Sequence, residues 1–123
     1  DVTMTSFTRT KEIFDRLNGT KILIKGNHDN LKLTQYQQIF KDVRAYHILN
    51  QILLAHIPVH PNSLSPWKGQ VHGHLHSNIV RNDKDGNEDK RYLNVSVEQI
   101  KYTPINFNEV RKHFDKLHSK ERS

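Results

Sequence analysis

Cysteine does not occur in the 123 residues. That removes disulfides and thiolate-held metals together. Any metal would have to be held by His, Asp, Glu or Asn, and a cytoplasmic protein is the expectation. No apolar run approaches the roughly 18–20 residues that cross a bilayer, so no membrane partner is expected, and no signal-peptide pattern is visible. Glycine occurs 5 times and proline 4 times, and there is no internal repeat, linker or low-complexity segment. With 34% hydrophobic and 26% charged residues, the chain reads as a polar globular one. Residues 1–123 are expected to form a single domain with a modest core.

What the chain has in excess is positive charge and histidine. A formal net charge of +6 suits phosphorylated substrates, with nucleotides or nucleic acid as candidates. Nine histidines are a more unusual feature, and their positions carry more than their number.

Ser6 is placed to cap a helix whose apolar residues Phe7, Ile13, Phe14 and Leu17 recur at helical spacing, and Asn18-Gly19 supplies its stop. Residues 21–25 then read as a short buried strand ended by Gly26, so the order is that of an α/β unit. A helix over 31–40 follows, then two strands, 46–49 and 51–55, turning at Asn50. Residues 56–68, with three of the prolines, read as a loop. Residues 70–72 form a strand. Residues 78–81 and 91–97 flank a polar segment in which Asp85-Gly86 favours a hairpin turn. Phe107, Val110, Phe114 and Leu117 mark a last helix.

Three loops bearing histidine each follow an apolar strand: Gly26-Asn27-His28-Asp29, Ala55-His56-Ile57-Pro58 and Gly73-His74-Leu75-His76. Loops at the carboxyl ends of α/β strands converge on one edge of the sheet, so residues far apart in sequence meet there. Imidazole suits Zn, Mn, Fe or Ni, and an amide or carboxylate oxygen suits harder cations. Glycine ahead of Asn27 and of His74 is expected to permit the turn that aims these side chains.

In this order the three motifs resemble those of calcineurin-like metallophosphoesterases, over roughly residues 1–105, and Asp1-Val2 looks like the end of that family's Gly-Asp motif. The resemblance implies a β-sandwich flanked by helices, with the centre at the strand ends. It implies two divalent cations (Mn, Fe, Zn or Ni) and hydrolysis of a phosphodiester or phosphomonoester, in the manner of the compact bacterial and phage members. Asp1 would bridge the two cations, Asn27, His56 and His74 would complete one site, and His76 would serve the other. His28 would sit over the scissile phosphate and protonate the leaving oxygen, so that Asn27 and His28 both face substrate, and Asp29 would orient His28 through a hydrogen bond.

The sequence also departs from that family. No Asp-x-His motif, which supplies two further metal ligands on the first strand, precedes Asp1, so the chain is expected to be the C-terminal part of a longer domain lacking its first strand. A non-catalytic metal-binding scaffold of the same fold, or a basic nucleic-acid-binding domain with incidental histidines, is the alternative. His47, His113 and His118 read as solvated or capping residues, and His60 and His72 lie near enough to the motifs to support them. Trp67 reads as packing under its loop, and residues 84–91 as a solvated tip. Substrate, native metal and oligomeric state are not fixed by these patterns.

Overall fold

The computed structural model describes residues 5–122, with side chains through residue 119. Helix α1 (Phe7–Asp15) begins where Ser6 Oγ accepts the Arg9 N–H at 3.2 Å. Its Phe14 ring packs edge-on against Phe40, centroids 5.0 Å apart. Strand β1 (Ile22–Ile24), helix α2 (Leu33–Ile39) and strand β2 (Asp42–Arg44) follow. The two strands pair in parallel, Leu23 opposite Val43, because α2 carries the chain back across them. Leu23, Tyr36 and Phe40 form the core of this unit. Strand β2 was not expected from the sequence, since its three residues, two of them charged, show no apolar alternation.

Strands β3 (Tyr46–Leu49), β4 (Ile52–Ala55), β5 (Gly69–His72) and β6 (Tyr92–Asn94) form a second sheet in the order β3-β4-β5-β6. β3 and β4 are the expected hairpin. Asn50 and Gln51 turn it with φ of 51° and 64°, the left-handed pair that matches strand twist in a two-residue hairpin. β5 runs parallel to β4, and β6 parallel to β5. The turn favoured at Asp85-Gly86 forms, with Asn82 N–H donating to the Asn87 carbonyl at 2.7 Å and one bridge, Arg81 with Glu88, but its pairing does not extend into β6. Sheet order wins over the local pairing because pairing with β5 buries Tyr92 against Leu53 and Leu64. The proline-rich loop contains one 3₁₀ turn, Pro61–Leu64, in which His60 Nδ1 accepts from Asn62 N–H at 3.2 Å. Trp67 packs partly buried beneath the loop, as expected.

Helix α3 (Phe107–Arg122) covers the other face of this sheet, with Val110 and Phe114 on Ile52, Leu54, Val71 and Leu93. Contact is close enough to dictate Gly69: a Cβ there would overlap the Phe114 ring and stand 2.7 Å from the Arg91 carbonyl oxygen. The result is a mixed α/β arrangement with two sheets and three helices. β1, β4 and β5 end just before Asn27, His56 and His74 respectively, so the topology delivers the three loops that the site requires.

Candidate metal centre

β4 and β5 are neighbours running the same way, so the residues after their ends emerge side by side. His56 Nε2 lies 3.2 Å from His74 Nδ1, and the two rings meet edge to face. The loop after β1 brings Asn27 Oδ1 to 2.9 Å from the same His56 nitrogen. The Gly73 N–H donates to the His56 carbonyl at 3.0 Å and ties the two loops together. Three donor atoms from three loops therefore face one point.

The donor set can be tested against a divalent cation on its geometry. Around one tetrahedral ion with bonds near 2.0–2.1 Å, neighbouring donors stand about 3.3 Å apart. Separations of 2.9 and 3.2 Å need only small adjustment. With no cation, His56 Nε2 can share hydrogen bonds with Asn27 Oδ1 and His74 Nδ1. Burial pushes the His56 pKa below its ordinary value, and nearby His74 adds to the effect, which favours the neutral imidazole that metal binding requires. Two imidazoles and an amide oxygen fit Mn, Zn, Fe or Ni. Among the described residues, no three His, Asp or Glu side chains stand together as a metal group, and the third donor here is an amide.

The remaining expected site residues are placed as follows. His28 is exposed in the loop it shares with Asn27. Asp29 is fully buried, and its Oδ2 accepts the Gly26 N–H at 2.7 Å. This carboxylate thus closes its own loop, a role that the bond expected to His28 had not suggested. His76 stands beside Glu98, with Nδ1 3.1 Å from Oε1. A carboxylate on Nδ1 holds that proton and turns Nε2 outward as a lone pair. Asp1 lies outside the described residues. His47, His113 and His118 bond to Arg44, the Lys90 carbonyl and the Lys68 carbonyl, in keeping with roles away from the site.

The expected part played by Gly73 is corrected. The left-handed residues of its loop are His74 and His76 themselves, at φ of 64° and 52°, and a Cβ on Gly73 would meet nothing closer than 3.7 Å. Histidine in this region costs about 1–3 kcal/mol and persists only where the surroundings impose it. The surroundings here are Asn94. Buried at the end of β6, it donates from Nδ2 to the His76 carbonyl at 2.9 Å and the Asn78 carbonyl at 2.8 Å, while its Oδ1 accepts Ser96 N–H. Neither Asn94 nor Glu98 was singled out from the sequence; Asn94 lies in a stretch read only as a strand and Glu98 just after it, with no motif around them.

His72, on β5 just before the loop, is 2% exposed. Its Nδ1 lies 2.8 Å from the Gly73 carbonyl oxygen and so carries the proton, and Nε2 has no partner among the described residues. Burial pushes its pKa below the ordinary value. The unfolded chain therefore takes up a proton near pH 6.5, before the folded one does. Stability of the metal-free protein should be full above that pH and fall as pH drops through the lowered folded value, with His56 contributing in the same direction. Thermal melts from pH 8 to pH 5 should show this slope, and His72→Phe should flatten it. An unchanged slope in the variant would assign the effect elsewhere.

No family model matches the chain. It is similar to the uncharacterized protein MJ1445 of Methanocaldococcus jannaschii, 28% identical over 110 residues that cover 88% of this chain and 57% of that protein. It is also similar to the crystal structure of AQ665, a protein of unknown function from Aquifex aeolicus. That match has a TM-score of 0.62 and 25% identity, covering 85% of this chain and 66% of that one. The chain spans little more than half the length of the curated relative.

Proposed function

We propose that the chain carries much of the centre of a metal-dependent phosphoesterase of the calcineurin-like type, its two sheets forming that family's β-sandwich. The observation that supports this most is the meeting of Asn27, His56 and His74 at 2.9 and 3.2 Å from loops 29 and 18 residues apart in sequence. On this reading Asn27, His56 and His74 hold one divalent cation. His76 would serve a second, and Asp1 would contribute to the same centre. Such cations, when bound, would supply Lewis-acid charge to offset the phosphate oxygens.

The chain's own residues do the rest. Asn27 fixes the loop that presents His28 to the ester. His28 is exposed on that loop, and it would deliver a proton to the departing oxygen, a step that suits an imidazole. Asp29 keeps the turn closed from beneath through Gly26. Asn94 holds the His76 and Asn78 carbonyls, and Glu98 the His76 ring, in the geometry described.

The test is hydrolysis of bis(p-nitrophenyl) phosphate with Mn²⁺, on this chain and on a version extended at its N-terminus. Turnover that chelator abolishes and His28→Ala lowers by about 10²–10⁴-fold is the expected result. A chelator-insensitive rate, or none in either version, would overturn the reading and leave a binding module.

A further inference from the structure

Beside the Asn27–His56 pair lies an open cleft of about 550 Å³, where the ends of β1 and β2 face the end of β4. Asn27 and His56 form one wall, so the cleft adjoins the donor atoms directly. Its other walls are of two kinds. Val43, Ala45, Ala55 and Ile57 give it an apolar lining, and Lys25 and Arg44 bring cations to it.

The two cations are set differently. Arg44 is held from two sides: Nε donates to Asp42 Oδ2 at 2.7 Å, and Nη1 lies 2.9 Å from His47 Nδ1. Its Nη2 makes no hydrogen bond among the described residues, so a fixed guanidinium keeps one donor edge unused. The Lys25 ammonium has no ion pair among the described residues. The Asp42 ion pair thus fixes the Arg44 guanidinium without covering its Nη2 edge. Among the described residues, an unpaired ammonium, a guanidinium with one open edge and an apolar lining occur together beside the candidate centre.

We propose that this cleft seats the non-reacting part of the phosphate ester, and that this part is an apolar ring body carrying an anion of its own, as in a nucleoside bearing a second phosphate. The ring body lies on Val43, Ala45 and Ile57, and the second anion meets Lys25 and the Nη2 edge of Arg44. This rests on the phosphoesterase reading and narrows its substrate class to nucleotides or the end of a nucleic acid strand.

Three p-nitrophenyl esters with one leaving group separate the contributions: the bis-aryl phosphate, thymidine 5′-(p-nitrophenyl phosphate), and the same nucleoside ester carrying a 3′-phosphate. KM should fall along the series, by about tenfold or more at the last step, the range of one charge-assisted hydrogen bond. Lys25→Ala and Arg44→Ala should each erase that last step and leave the bis-aryl rate unchanged, and Ala45→Trp, which fills the cleft, should erase the nucleoside step. A last step that survives both charge variants would overturn the proposal while leaving the phosphoesterase reading intact. Should the bis-aryl ester not be cleaved at all, binding of thymidine 3′,5′-bisphosphate followed in ¹H–¹⁵N spectra reads the cleft directly. Shifts at residues 25, 44 and 57 that weaken at least tenfold in Arg44→Ala uphold the proposal, and equal binding by wild type and variant overturns it.

Discussion

His56→Ala should lower Mn²⁺ affinity by well over about 100-fold, more than the roughly 10–100-fold that follows loss of a residue merely supporting a ligand. His56 Nε2 is the atom common to both short contacts, 2.9 Å to Asn27 and 3.2 Å to His74, so its removal leaves two donors with nothing between them. The side chain is only half buried, so the melting temperature of the metal-free variant should move little. Asn94→Leu makes the instructive comparison. It keeps the volume but leaves the His76 and Asn78 carbonyls without their donor, so affinity should fall within that 10–100-fold range and stability should fall too. Isothermal titration with Mn²⁺ and thermal melts of the three proteins decide the matter. Wild-type affinity in His56→Ala would remove the trio from any metal site.

The largest stability effect is expected where α3 meets β5. Phe114 is fully buried, and Phe114→Ala should cost about 3–5 kcal/mol through lost burial and the cavity left behind. Gly69→Ala forces a methyl into the same ring and towards the Arg91 carbonyl, 2.7 Å away, at about 1–3 kcal/mol. The two are not independent. In the double variant the new methyl occupies part of the space the ring vacated, so the loss should be smaller than the sum by a measurable coupling. Either single variant should lower the melting temperature by several degrees. Strict additivity would mean that the strain at Gly69 comes from the carbonyl rather than the ring.

Much of this fold was legible because its signals are local. The Ser6 cap, the 46–55 hairpin, the strand before Gly73 and the apolar spacing of α3 each lie in one stretch of sequence. β2 and the parallel docking of β6 were not legible, because both depend on partners far along the chain, and the Asp85-Gly86 turn pointed to a different pairing. The candidate site divides the same way. That Asn27, His56 and His74 lie on loops after strands could be read from the sequence, and the structure brings these three side chains together. What holds them could not be read. Asn94 reaches across 16 and 18 residues to two carbonyls, and the left-handed backbone falls on His74 and His76 rather than on a glycine. Backbone strain of this kind leaves no mark in composition or periodicity.

The Asn94 clamp also bears on the order in which the site comes into being. β6 is the outermost strand of its sheet, at the far side of β5 from β4, and its partner in the clamp is the loop that follows β5. A chain that has paired β3, β4 and β5 already brings His56 and His74 close in space, with Gly73 N–H on the His56 carbonyl, yet the rest of the second loop lacks its Asn94 clamp until β6 docks. Completion of the centre is therefore coupled to closure of the sheet edge, and local opening of β6 would loosen the histidine loop.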